Sequence, residues 1–264
     1  MLNIYKRFWY VNWAEQWQYR ANLLMYLAYW MVSPITYLAV WTTIANAQGS
    51  VSGLTAANFA AYYLTLLPID ILTSSITIYY LAFKIQDGTI SNQLIQPVHP
   101  ILTNILVTNI AFKVLQMTVF VPIWIVLVLL FQPALTYTAS SLLLTIPAII
   151  LGFGIRFLME STITLIAFWT TRVWAIYNFD MAFSMLLNGA FVPLMLLPQW
   201  AQTLAQILPY QLTLSFPVLL VLNQLSPEKI LLNFALQIFW LSVLYALFNL
   251  VWRQAVKQYS AVGA

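Results

Sequence analysis

Four ionisable residues stand inside long apolar runs: Asp70, Arg156, Glu160 and Asp180. A charge in hydrocarbon costs at least about 2.5 kcal/mol on insertion scales, so such groups face protein or water. Arg156 and Glu160 are four residues apart, which brings two side chains together along one helix face, and the pair is expected to neutralise itself there. Two uses are open to these groups. They could line a substrate path or gate, or they could serve as structural ion pairs and helix–helix hydrogen bonds. His99 is the single histidine and cysteine is absent. One histidine is not a cluster of converging donors, so no metal site is expected, and His99 is assigned a solvated or capping role. Without cysteine there is no disulfide and no thiol nucleophile. No phosphate-binding glycine loop, H-E-x-x-H or G-x-S-x-G motif occurs, so no catalytic residue is assigned.

The elements that must position these groups are membrane helices. The chain has 264 residues, 62% hydrophobic and 6% charged, against about 25% charged in a soluble domain. Apolar runs of about 20 residues recur, each long enough to cross a bilayer core as a helix. The expected fold is an all-α integral membrane domain occupying residues 1–264 as a single unit. It has six spans: near Asn22–Ala45, Asn58–Phe83, a third entered at Lys113 and ending near Phe131, a fourth from Ser140, a fifth reaching Leu197, and Ile230–Trp252. Ahead of them, Tyr5, Trp9, Trp13 and Trp17 repeat every fourth residue, a stripe suited to a helix lying in the membrane interface. Between Gln199 and Lys229 the apolar sequence is broken by Pro209, Pro217 and Pro227. Two short re-entrant helices are expected there, because each piece is too short to span.

The stretch Lys84–Pro100 is the longest polar interruption of the first half. Asp87-Gly88 signals a tight turn, and Ile90, Leu94 and Ile95 recur at helical spacing. Pro97 and Pro100 end that short amphipathic helix. Lys6, Arg7, Arg20, Lys84, Lys113, Arg172, Arg253 and Lys257 fall on one side of a six-span topology and only Lys229 on the other. Both termini and Lys84–Pro100 are therefore expected to be cytoplasmic. The net charge of +4 is scattered over span ends, which is a topology signal and not a nucleic-acid footprint.

Taken in order, these features resemble the membrane-spanning permease subunits of ABC transporters of the ABC type-2 exporter class. An N-terminal amphipathic helix precedes six spans. Asp87–Pro97, D-G-T-I-S-N-Q-L-I-Q-P, is similar to that family's G-x-I-x-x-x-L-x-x-P. Asn188–Trp200, N-G-A-F-V-P-L-x(3)-P-x-W, leads into the re-entrant pieces, and the chain ends in Tyr259–Ala264, Y-S-A-V-G-A, as in one bacterial branch. The resemblance implies a multi-pass protein of the bacterial plasma (inner) membrane. It implies a coupling helix contributed by Asp87, Gly88, Ile90, Leu94, Ile95, Pro97 and His99, docked in a cleft of an ATP-binding subunit. It further implies that ATP and Mg are bound by a pair of those partner subunits and not by this chain. The permease would be a dimer, either two copies or this chain with a related one. The expected function is movement of an amphiphilic, drug-like or glycan/lipid-type substrate out of the cytoplasm or inner leaflet. The competing expectation is an ion- or proton-coupled secondary transporter using Asp70, Glu160 and Asp180 as relays. Against it, no repeat with broken helices at matching positions is visible.

Overall fold

The computed structural model describes residues 20–258 and, before them, residues 6, 7, 10, 11, 13, 14, 17 and 18. Those eight leading positions are helical. Tyr5 and Trp9 of the aromatic stripe, and the terminal Tyr259–Ala264 motif, lie outside the described residues. Every regular element among the described residues is helical.

Helix α1 (Arg20–Gln48) leads through a tight turn, with positive φ at Gly49, Ser52 and Gly53, into α2 (Ala56–Thr73). Thr55 and Asn58 form a reciprocal capping box at the start of α2, which satisfies donors that a helix start leaves open. After a three-residue break the chain continues as α3 (Thr77–Gln86), a turn, and the one-turn helix α4 (Ser91–Leu94). A π-helical turn, Pro100–Ile105, opens α5 (Leu106–Phe131), which Gln132 ends in the left-handed conformation. Thr138 and Ser141 cap α6 (Ala139–Leu165). Then come α7 (Val173–Leu187), three short helices α8 (Gln199–Ile207), α9 (Tyr210–Thr213) and α10 (Ser215–Val221), and the long α11 (Pro227–Gln258).

Helix α6 is the hub, packed against α11, α10, α3 and α2. Its glycines allow that crowding. A Cβ on Gly152 would lie 3.3 Å from the Thr213 backbone, and one on Gly154 would lie 2.8 Å from a methyl of Leu241. Buried Gln237 on α11 donates to Ala148 O at 2.9 Å and Leu212 O at 2.8 Å, tying three elements together. The exterior is apolar instead: Val126, Leu129 and Leu130 on α5 and Leu231, Ile238 and Phe239 on α11 are all exposed, as lipid-facing positions require.

Five stretches are long and apolar enough to cross a membrane: Ala21–Gln48, Ala56–Gln86, Pro100–Phe131, Ala139–Phe168 and Pro227–Gln258. These correspond to five of the six expected spans. The expected fifth span is different. Helix α7 has 15 residues, about 22 Å at 1.5 Å per residue, against a hydrocarbon core of about 30 Å. From Asn188 the chain leaves the helix, and Gly189, at φ 89°, would be strained by any side chain there, since a Cβ would sit 2.5 Å from the Tyr62 hydroxyl and force it to shift. The irregular segment is held by α2. Tyr62 donates to Gly189 O at 2.9 Å and Tyr63 to Phe191 O at 2.8 Å. The start of the Asn188–Trp200 motif is thus an irregular segment pinned to α2, and three short helices follow before α11 where the sequence suggested two.

Candidate functional site

The site begins where α2 stops being a helix. Residues Ser74–Ile76 leave the helical ladder inside the 31-residue span Ala56–Gln86. Backbone groups released within an apolar environment must find partners in the protein, and here side chains of α5 and α6 supply most of them. Asn109 accepts from Ile76 N at 2.9 Å, Glu160 accepts from Ile78 N at 2.8 Å, and the Ser75 hydroxyl accepts from Thr77 N at 3.3 Å. The Lys113 ammonium donates to Ser74 O and lies 4.0 Å from the centre of the Phe153 ring. Asn109 and Lys113 are four residues apart on α5, so one helix face delivers an acceptor and a donor to the two sides of the break. Both are buried.

Arg156 pairs with Asp70 on α2, through its guanidinium, and not with Glu160. This corrects the expected pair along one helix. Glu160 is occupied by the backbone of α3 instead. Both Asp70 and Glu160 are buried, so each gains more from a partner that closes a helix–helix interface than from one beside it. The reading of Lys113 as a marker of span entry is also corrected, since it is a buried clasp for the broken helix. Asp180 lies at the middle of α7 and accepts from the Tyr210 hydroxyl at 2.6 Å. Arg156, Glu160 and Asp180 border one pocket of ≈ 50 Å³ with Ser75, Tyr177 and Tyr210.

Below the clasp, α3 runs to the polar loop. Gly88 takes φ 79° as the turn requires, and the exposed Asp87 carboxylate accepts from Thr89 N at 2.9 Å and the Thr89 hydroxyl at 2.7 Å. These hydrogen bonds hold the Asp87 carboxyl below its ordinary pKa. Ile90, Leu94 and Ile95 do not share one face. Ile90 is fully buried and Leu94 packs half-buried on the same cluster, which includes Ile85 and Ile101. Ile95 is 86% exposed, and Asn92, Gln96 and Pro97 are exposed beside it. The helix is one turn long, so the chain swings Ile95 outward immediately after Leu94 is seated.

His99 has the capping role. Its Nδ1 accepts from Ile101 N and Leu102 N, both at 3.2 Å, at the head of the π turn. Its ring lies 4.7 Å from that of Trp252 and 5.8 Å from that of Phe248, both on α11. Half-burial lowers its pKa, which keeps the imidazole neutral and Nδ1 an acceptor. A second anchor reaches the α6–α7 turn, where Gln86 donates to Thr171 O at 3.3 Å. The loop therefore rests on α3, α11 and the α6–α7 connection, while Asp87, Ile95 and Pro97 face outward.

The described residues thus form a multi-pass helical domain with a polar loop seated on its spans. The family model for ABC-2 family transporter protein matches residues 31–263. The chain belongs to that family: it is an ABC-2 type permease, a transport subunit that is not itself catalytic, and such permeases normally work with an ATP-binding subunit. No curated protein and no solved structure matches the chain.

Proposed function

We propose that this permease is the membrane half of an ATP-driven exporter of the bacterial plasma membrane, with ATP and Mg bound by a separate pair of subunits. The observation that carries this reading is the Asp87–His99 loop. Buried Ile90 and half-buried Leu94 fix it to the bundle, and its outward residues, Asp87, Ile95 and Pro97, leave an apolar knob beside a turn. An exposed isoleucine on a loop outside the lipid suits a cleft in a soluble partner. Movement of that partner would pass into α3, and the break at Ser74–Ile76 is where α3 can shift relative to α2.

In this reading both termini and the loop are cytoplasmic, and α7 with the Asn188–Leu197 segment makes the sixth crossing. The following short helices then return within the outer half of the membrane. A second permease chain, identical or related, completes the translocation path, and the substrate is amphiphilic, drug-like or glycan/lipid-type. Single cysteines at Gly88 and Gln224, introduced into a chain that has none, test the orientation. An impermeant reagent added to intact cells should modify Gln224→Cys and leave Gly88→Cys unmodified. Modification of Gly88→Cys from outside would reverse the topology and remove the loop from any cytoplasmic partner.

A further inference from the structure

A second cavity, of ≈ 510 Å³, lies at the opposite end of the bundle from the loop. Asn58, Phe59 and Tyr62 at the start of α2 border it, whereas the loop follows the other end of the same 31-residue span. Its size is that of a small-molecule site. Much of its wall is apolar, with Leu54, Leu194, Phe216, Leu219 and Leu232, and its polar groups come mainly from α8 and α11, Gln202 with Gln206 and Lys229 with Asn233, each pair at a spacing of four. Gln211 and Gln224 add two more amides.

The hydrogen bonding of these amides is uneven. Gln202 donates to Leu197 O at 2.8 Å and Asn233 to Lys229 O at 2.7 Å, so both are engaged with the backbone. Gln206, Gln224 and Lys229 are exposed at the cavity mouth and Gln211 is half-buried; none of the three amides has a side-chain hydrogen bond among the described residues and the Lys229 ammonium has no salt bridge there, so all four are open to a guest from solution. The cavity thus offers three unengaged amides, each a donor and an acceptor, one cation, and no carboxylate among its described lining residues. A purely apolar guest would strip water from those amides without replacing their hydrogen bonds. A cationic guest would meet Lys229, and a metal ion would find no carboxylate.

We infer that this cavity binds a polyhydroxylated head group carrying one anionic substituent, with hydroxyls on Gln206, Gln211 and Gln224 and the anion on Lys229. Sugar phosphates and anionic glycolipid heads share that chemistry. As a station on an outward path the site rests on the exporter reading, but its occupancy does not.

The test uses the full-length chain with Met195→Cys, an exposed position on the cavity wall, in phosphatidylcholine vesicles. The rate of modification by an impermeant maleimide is measured with glucose, inorganic phosphate, or glucose 6-phosphate in solution, or with phosphatidylinositol in the membrane. Glucose 6-phosphate should slow modification saturably and at lower concentration than glucose or phosphate. Protection by phosphatidylinositol alone would identify the lipid head as the source. Adding Lys229→Gln should weaken the protecting anionic probe about tenfold, as loss of one charge-assisted hydrogen bond does, and leave glucose unchanged. No protection by either anionic probe, or protection indifferent to Lys229→Gln, would overturn the inference. Co-purification of an ATP-binding subunit with the same variants reports separately on the exporter reading, which would fail alone if no such subunit is retained.

Discussion

Arg156 on α6 reaches across to Asp70 on α2, although Glu160 stands one turn further along its own helix. The ion pair therefore joins two helices, and Glu160 is left to receive Ile78 N at the start of α3. Removing one partner of a fully buried pair strands a charge and costs about 3–5 kcal/mol, whereas removing both costs less; the partial exposure of Arg156 lowers that cost here but keeps the ranking. Asp70→Asn should therefore destabilise the protein more than Asp70→Asn with Arg156→Gln. Thermal unfolding in detergent gives the double-mutant cycle. Strong coupling is expected for Arg156 with Asp70 and little for Arg156 with Glu160, and the opposite ranking would contradict the structure.

The broken helix makes a second prediction. Asn109→Leu removes the acceptor for Ile76 N while retaining bulk, and leaves a buried donor without a partner at a cost of about 1–3 kcal/mol. The effect should be a lower midpoint of thermal unfolding and faster amide exchange at Ile76. An unchanged exchange rate would mean that the break does not depend on α5.

At Gly189, alanine meets both a positive φ and the Tyr62 hydroxyl. The backbone term alone is about 1–2 kcal/mol. Gly189→Ala should lower the unfolding midpoint, and it should cost less in a Tyr62→Phe background, measured against Tyr62→Phe alone because that change also loses the hydrogen bond to Gly189 O. An equal cost in both backgrounds would place the whole effect in the backbone.

His99 predicts a pH dependence. Its pKa is lowered in the folded protein by burial, and protonating Nδ1 would also abolish its two hydrogen bonds. The unfolded chain, with a histidine pKa of about 6.5, binds the proton more readily. Folded stability contributed by neutral His99 is therefore complete above about pH 6.5 and falls as pH drops below it. His99→Asn keeps an acceptor and cannot titrate, so its unfolding midpoint should lose the part of the acid sensitivity that His99 causes. An identical pH profile for the two proteins would remove His99 from the account.

Much of this was legible from the sequence because lipid imposes a simple rule on long segments. Five spans follow from apolar length and the turn at Gly88 from glycine's tolerance of positive φ, whereas the isolation of His99 spoke against a metal site and left a solvated and a capping role both open. The polar contacts followed less well, since they are settled between helices. Spacing offered Arg156 the nearby Glu160, but a partner on α2 closes an interface. The second span was expected to run unbroken over Asn58–Phe83, and the break at Ser74–Ile76 becomes visible only with the four side chains that satisfy it. Lys113 resembled a membrane-entry marker until Ser74 O was found beside it. In the loop, the sequence pattern reads Leu94 and Ile95 as one apolar face, but adjacent helical residues point about 100° apart, and only Leu94 meets the core.

The central claim is that Ile95 enters a soluble ATP-binding partner. Burying an isoleucine contributes about 1.5–3 kcal/mol, and a carboxylate in its place adds desolvation cost. Affinity should fall by tenfold or more, at about 1.4 kcal/mol per decade. The measurement is co-purification of the ATP-binding subunit with Ile95→Asp, together with ATPase activity of the recovered complex. The account predicts normal membrane insertion, because Ile95 is 86% exposed and supports no core, with the partner lost. Ile95→Asp that inserts normally, retains the ATPase at wild-type yield and still transports would contradict it.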